Sequence, residues 1–275
     1  MDDRERLSDF FAQRHADVVD AAARVKVGDD VEAVHDLRVA IRRLRTVLRA
    51  AGPMLAPAWT EPLREELDRL GPALGPLRDL DVLTAHLQRE SEELDDADRS
   101  ALAGAFRVLA EDHAAARVAT IAELETERFA ALVAQLATPP PIVGEGDVNS
   151  DVTLTGLAAR AQKRLRKTMD EVSPDSPDEL LHRARIRAKR VRYLAETLGE
   201  DRIVKRAKDF QDVVGENQDA VVAEERLRAL AERVPEAAVP LGRLIEREHA
   251  RRARVRDELP KAWKKLESAA DEAWA

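Results

Sequence analysis

The sequence predicts an all-α protein made of a duplicated helical unit with pseudo-twofold symmetry, each half ending in a long helix. Three observations carry this. Apolar residues recur at helical spacing almost from end to end. No segment sustains the two-residue alternation of a strand; pairs such as Val213-Val214 and Val221-Val222 are short and flanked by charge. A block of the first half returns in the second half at identical spacing.

Turn residues cut the helical pattern into elements. Gly28-Asp29-Asp30, Gly52-Pro53, Gly71-Pro72 and Gly75-Pro76 divide the first half, and Pro174, Pro177, Gly199, Gly215 and Pro235 divide the second. Helices are expected near 2–27, 31–51, 59–71, 77–95 and 98–137, then 154–171, 178–198, 201–213, 218–233 and 236–273. Pro260 is expected to kink or break the last of these. Residues 139–153, beginning Pro139-Pro140-Pro141, have turn composition and no helical pattern, and read as a linker between halves 1–138 and 154–275.

The repeat is specific. Residues Glu32 to Arg45 align without gaps on Glu179 to Arg192, so His35, Arg38, Arg42 and Arg45 recur as His182, Arg185, Lys189 and Arg192. Downstream, Leu74-Gly75-Pro76-Leu77-Arg78-Asp79 echoes Val214-Gly215-Glu216-Asn217-Gln218-Asp219. On a helix, His35, Arg38, Arg42, Arg45 and Arg49 fall on one face, with Val34, Leu37, Ile41, Leu44 and Leu48 about 100° away. His182, Arg185, Lys189 and Arg192 form the second cationic row, beside the apolar Leu181, Ala184, Ala188 and Val191.

A solvated basic helix is usually laced with acids three or four residues away. Arg42 and Arg45 have none within four residues on either side. The rows therefore read as an anion site. The formal net charge of -8 conceals them: residues 1–138 hold 18 Lys and Arg against 27 acids, whereas 154–275 hold 27 against 23.

What is missing narrows the anion. Proteins that grip single-stranded nucleic acid interleave cations with aromatic platforms. This chain has nine aromatics, of which Tyr193 alone adjoins a basic row, so nucleic acid is not expected. No GxxxxGK[ST] or GxGxxG occurs for mononucleotides. Arginine rows without stacking residues suit a ligand that is phosphate and little else.

With no cysteine, disulfides, iron–sulfur clusters and thiol nucleophiles are excluded. The longest charge-free run, Phe129 to Gly144, is 16 residues, short of the roughly 20 that a membrane helix needs. No secretory signal is read at the N-terminus, and the expected location is cytoplasmic. His35-Asp36 invites a metal phosphohydrolase reading, but the repeat replaces Asp36 with Arg183, and no histidine pair stands at i, i+4. No metal and no cofactor are expected. His35 and His182 open the cationic rows and can donate to a phosphate oxygen, a neighbour that would raise their pKa.

With these residues assembled, His35 to Arg45 with Leu77-Arg78-Asp79-Leu80-Asp81-Val82, and Leu181 to Tyr193 with Gln211-Asp212-Val213-Val214-Gly215 and Asp219, the chain resembles the CHAD family of α-helical domains over essentially its whole length. The resemblance implies two antiparallel four-helix-type bundles with a basic groove or pore between them that binds inorganic polyphosphate. By position it points to His35, Arg38, Arg42, Arg45, Arg49, His182, Arg185, Lys189 and Arg192. Arg14, Lys163, Arg166, Lys167 and Lys208 are weaker additions, while Asp79 and Asp219 look like structural residues at helix starts. The fused CYTH-type domain common in the family is not read here.

The expected function is therefore non-catalytic polyphosphate binding, in a bacterial cytoplasm or on polyphosphate granules, with sulfate or phosphate able to occupy the site. The alternative is a metal-dependent phosphohydrolase acting on polyphosphate or a nucleotide, using acids such as Asp79, Asp81 and Asp219. A helical protein-interaction scaffold is a third reading.

Overall fold

The computed structural model describes every residue except Met1, Asp29, Val31, 144–151, Pro174 and Ala275. Most of the expected linker and the turn residues Asp29 and Pro174 thus lie outside the described residues.

Eleven α-helices are described: α1 (Asp3–Val27), α2 (Ala33–Ala50), α3 (Pro57–Ala73), α4 (Gly75–Ser91), α5 (Asp96–Ala101), α6 (Ala103–Leu124), α7 (Glu127–Leu136), α8 (Leu154–Met169), α9 (Asp178–Leu198), α10 (Asp201–Arg233) and α11 (Ala238–Trp274). Among the described residues there is no strand, only one antiparallel bridge between Leu55 and Ile142. It ties the start of the linker segment to the turn after α2, where Ala56 N–H donates to the Pro141 carbonyl at 2.8 Å. Within the same residues no helix is long and apolar enough to cross a membrane.

Local chemistry sets many of the ends. α1 opens with a capping box, in which the Asp2 carboxylate accepts from Glu5 N–H at 2.8 Å and the Glu5 carboxylate accepts from Asp2 N–H at 3.0 Å. It closes on Gly28 at φ +93°, a left-handed conformation that glycine adopts without a Cβ clash.

Three sequence expectations are corrected. The single helix expected over 98–137 is three: α5 gives way to α6 at Leu102, and α6 ends before Thr126, whose hydroxyl accepts from Phe129 N–H at 3.1 Å and starts α7. Conversely, the helices expected at 201–213 and 218–233 are one continuous α10, because Gly215 is a buried position inside the helix. Nor does Pro260 end α11, which runs through it to Trp274. One missing N–H is outweighed by anchorage on both sides: Arg256 donates to the Asp178 carboxylate at 2.8 Å, and Leu259 and Leu266 are buried.

α1 packs on α2 as α8 packs on α9, and α2 packs on α9. One apolar core gathers Leu7, Phe11, Leu44, Leu48, Leu165, Val191, Tyr193, Phe210 and Leu266. A second gathers Leu87, Leu102, Leu109, Leu227, Leu241 and Leu244. Both cores therefore mix residues from before and after the linker. Edge-to-face rings tie the first together, with Phe11 against Trp59 at 5.4 Å and Phe210 against Trp263 at 5.8 Å.

Candidate functional site

α2 and α9 carry the repeated rows, and each buries its apolar stripe: Leu37, Ile41, Leu44 and Leu48 on α2, and Leu181, Ala184, Ala188 and Val191 on α9, are at most 2% exposed. That burial turns the cationic rows sideways, into a cavity of about 680 Å³ bounded by α2, α4, α9, α10 and α11. Arg38 and Arg42 enter from α2, and His182, Arg185 and Lys189 from α9. Arg78, Arg89, Arg226 and Arg251 complete its eight arginines and lysines, against the four carboxylates Glu32, Asp79, Asp81 and Asp219.

The carboxylates do not neutralise the centre evenly. Asp79 accepts from Arg226 at 2.7 Å and lies 3.9 Å from Arg38, and Asp81 meets His113 at 2.8 Å. Arg42 donates its Nε–H to the Tyr193 hydroxyl at 3.0 Å and has no carboxylate partner, while Arg185 and Lys189 have no hydrogen bond or ion pair among the described residues. Three half-buried cations thus face one space without fixed counter-ions.

Their acid–base behaviour records this. Burial, then the charges of Arg185 and Arg42, push Lys189 down to about 7. Burial also lowers Arg185 and Arg38 below the usual arginine value, with Asp219 and Asp79 respectively opposing the shift. His35 is lowered as well, first by burial and then by Arg78. It opens the α2 row but, contrary to the sequence expectation, is not among the residues that line the cavity.

A glycine stands beside each of two of these side chains, closely only at Gly75. A Cβ on Gly75 would stand 3.3 Å from Arg38 Nη1, and one on Gly215 would stand 3.8 Å from Arg185 Nε. The two glycines are repeat equivalents, and so are the two arginines.

The other sequence-selected residues are placed elsewhere. Arg45 and Arg49 both reach Asp68 of α3, at 2.6 and 2.7 Å, a neutralisation that counting acids along α2 cannot detect. Arg192 pairs with Glu196 at 3.0 Å, and its guanidinium lies 5.9 Å from the Tyr193 ring centroid. His182, although it lines the cavity, donates its Nδ1–H to Gln218 Oε1 at 2.8 Å. Arg14 pairs with Asp17 at 2.6 Å on its own helix. Lys163, Arg166 and Lys167 line a separate hollow with Asp170, Asp271 and Trp274, where Arg166 is bound by Glu267 at 3.0 Å and by Asp271. Lys208 is exposed on α10, away from the cavity lining.

Sequence reasoning missed Arg89, Arg226 and Arg251, which lie outside the repeat and carry no local signal. Arg78 was visible in the Leu77-Arg78-Asp79 echo. Among the described residues no three His, Asp or Glu side chains come together in a way that could hold a metal ion.

Fold and site define an all-α helical protein with a half-open, under-neutralised cationic cavity. A model of the CHAD domain matches residues 10–228, and the chain belongs to that family. An uncharacterised protein of Mycobacterium tuberculosis, in each of two strains, is 31% identical over 258 residues, which cover 88% of this chain and 49% of that protein. The chain thus spans about half the length of the curated relatives it matches. PptA from Streptomyces chartreusis is similar in structure at a TM-score of 0.75 and 22% identity, over 96% of this chain and 100% of that one. The CHAD domain from the plant Ricinus communis is similar at 0.74 and 23% identity, over 96% and 91%. At those identities the likeness establishes the fold.

Proposed function

We propose that this chain binds inorganic polyphosphate in the cavity between α2 and α9 and does so without catalysis, in the cytoplasm or on polyphosphate granules. The observation that carries the reading is the convergence of Arg42, Arg185 and Lys189 on one space with no fixed carboxylate partner. A flexible polyanion supplies the missing counter-charge, and guanidinium groups match phosphate oxygens in geometry. Membership of the CHAD family and the absence of an aromatic platform around the cavity support polyphosphate over nucleic acid.

Calorimetric titration with tripolyphosphate, long polyphosphate and single-stranded DNA at equal phosphate tests this. Long polyphosphate is expected to bind most tightly, and Arg42→Glu with Lys189→Glu is expected to abolish binding while helicity stays intact. Equal or tighter binding of DNA would overturn the choice of polyanion.

One observation favours a second reading: Asp79, Asp81 and Asp219 line the same cavity as the cations. A metal-dependent phosphohydrolase would need such acids to be free. Asp79 and Asp81 are instead taken up by Arg226 and His113. Shortening of labelled polyphosphate by the pure protein with Mg²⁺ or Mn²⁺, above a protein-free control, would establish that reading in place of ours.

A further inference from the structure

A second group of cations lies across α9 from the cavity. Arg187 and Arg190 stand about 140–200° round α9 from Arg185. Arg187 donates to the Arg164 carbonyl at 2.8 Å and to the Thr168 hydroxyl, which fixes it against α8. Arg190 is half-buried, and the charges that act on it are those of Arg164, Arg49 and Arg187. Burial first, and those three charges after it, lower its pKa from the ordinary arginine value.

Counter-ions are lacking in sequence and in space. Arg164, Arg187 and Arg190 have no acid within four residues along the chain. Among the described residues none of the three has an ion pair; Asp68 serves Arg49 alone of the four.

The repeat supplies an independent comparison. Its register sets Arg190 against Arg43 and Arg49 against Glu196. Arg43 and Glu196 form an ion pair at 3.3 Å, and Arg43 lies 5.8 Å from the Tyr193 ring centroid. At the corresponding place the carboxylate is replaced by the Arg49 guanidinium. The fold closes one end of the α2–α9 seam with opposite charges and leaves the other end positive.

A path joins this end to the cavity. Arg38, Arg42, Arg45 and Arg49 lie on one face of α2, so the row that starts in the cavity ends at the cluster, about 16 Å along the helix.

We propose that Arg164, Arg187, Arg190 and Arg49 form a second phosphate-binding site, and that a long polyphosphate seated in the cavity follows the α2 row to reach it. The path rests on the function proposed above; the site itself does not. A chain too short to leave the cavity gains nothing from the cluster, whereas a long one engages it intramolecularly.

The test compares wild type, Arg164→Glu with Arg190→Glu, Arg42→Glu with Lys189→Glu, and all four together, titrated with tripolyphosphate and with long polyphosphate. The α8–α9 variant is expected to bind tripolyphosphate as wild type does and long polyphosphate at least tenfold more weakly. Its dependence of log affinity on log salt is expected to be shallower by roughly 1.4–1.8, two contacts' worth by analogy with nucleic acids. Long-polyphosphate affinity equal to wild type would overturn the second site. A loss of tripolyphosphate affinity as large as that of long polyphosphate would overturn the division into two sites. If the α2–α9 variant binds like wild type while the α8–α9 variant does not, the cavity reading fails and the second site stands. A wild type that binds neither anion removes both. Arg190→Gln separates binding from folding: removal of one charge from a like-charged cluster is expected to hold or raise the ligand-free melting temperature, and a marked fall would show that the cluster is structural.

Discussion

The Arg42 Nε–H donates to the Tyr193 hydroxyl at 3.0 Å, so a first-half cation is aimed by a second-half ring that is itself 1% exposed. Arg43 and Arg192 flank the same ring at 5.8 and 5.9 Å. Tyr193→Phe keeps the ring and removes the acceptor, and is expected to cost at most about 2 kcal/mol of stability while weakening polyphosphate binding severalfold. Tyr193→Ala also empties a core position and should cost about 3–5 kcal/mol. Denaturant unfolding and calorimetry on both variants check the separation; a Tyr193→Phe variant as stable and as tight-binding as wild type would show that the hydroxyl has no distinct role.

Lys189 gives binding a pH dependence with a defined sign. Its pKa is about 7 in the empty cavity, and a bound polyanion favours the ammonium form and raises it. The contribution to affinity is therefore complete below about pH 7 and is lost as pH rises through the higher pKa of the complex. Titrations at pH 8 in buffers of different ionisation enthalpy should show proton uptake on binding, and Lys189→Arg should remove it. In the empty protein the depressed pKa acts oppositely on folding: Lys189 destabilises most below pH 7, and stability rises as pH climbs from 7 toward the ordinary lysine value.

His86, in the cavity wall, meets Glu248 at 2.8 Å, with Glu248 2% exposed and Arg251 3.6 Å from it. His86→Leu removes one partner of a buried carboxylate and should cost about 3 kcal/mol, or roughly 5–10 °C in melting temperature. Replacement of both residues by leucine should recover most of that loss. A double variant no more stable than the single one would show that packing, and not the stranded charge, sets the cost.

Gly215 tests whether the glycine beside Arg185 serves that arginine or the backbone. Gly215→Ala should stabilise α10 by about 0.5–1 kcal/mol through helix propensity. Binding should survive, since the added Cβ meets Arg185 Nε at an ordinary 3.8 Å. Gly71→Ala differs, because its Cβ would come within 2.8 Å of Arg45 Nη1 and force that guanidinium off Asp68. Thermal melts and binding curves on the two variants should diverge accordingly.

The parts legible in the sequence were those governed by local spacing. The ranges of α1, α2 and α9 follow from apolar periodicity and from glycines at their ends, and the convergence of Arg38 and Arg42 with Arg185 and Lys189 follows from the repeat. The parts that were not legible depend on partners distant in sequence. Gly215 reads as a break until the packing that buries it inside α10 is known, and Pro260 reads as one until the anchors of Arg256 and Leu266 are placed. Arg45 reads as unpaired until α3 brings Asp68 to within 2.6 Å.

The two apolar cores, each shared by residues before and after the linker, make the chain a tethered dimer in thermodynamic terms. A half severed at 139–153 would retain only part of each core and would expose the apolar faces of α2 or α9, which it could cover only by meeting its counterpart. Two separate halves would assemble according to how much of each was present. Joined, they meet at an effective concentration set by a short connection, so the cavity walls of a single chain stay assembled at any dilution.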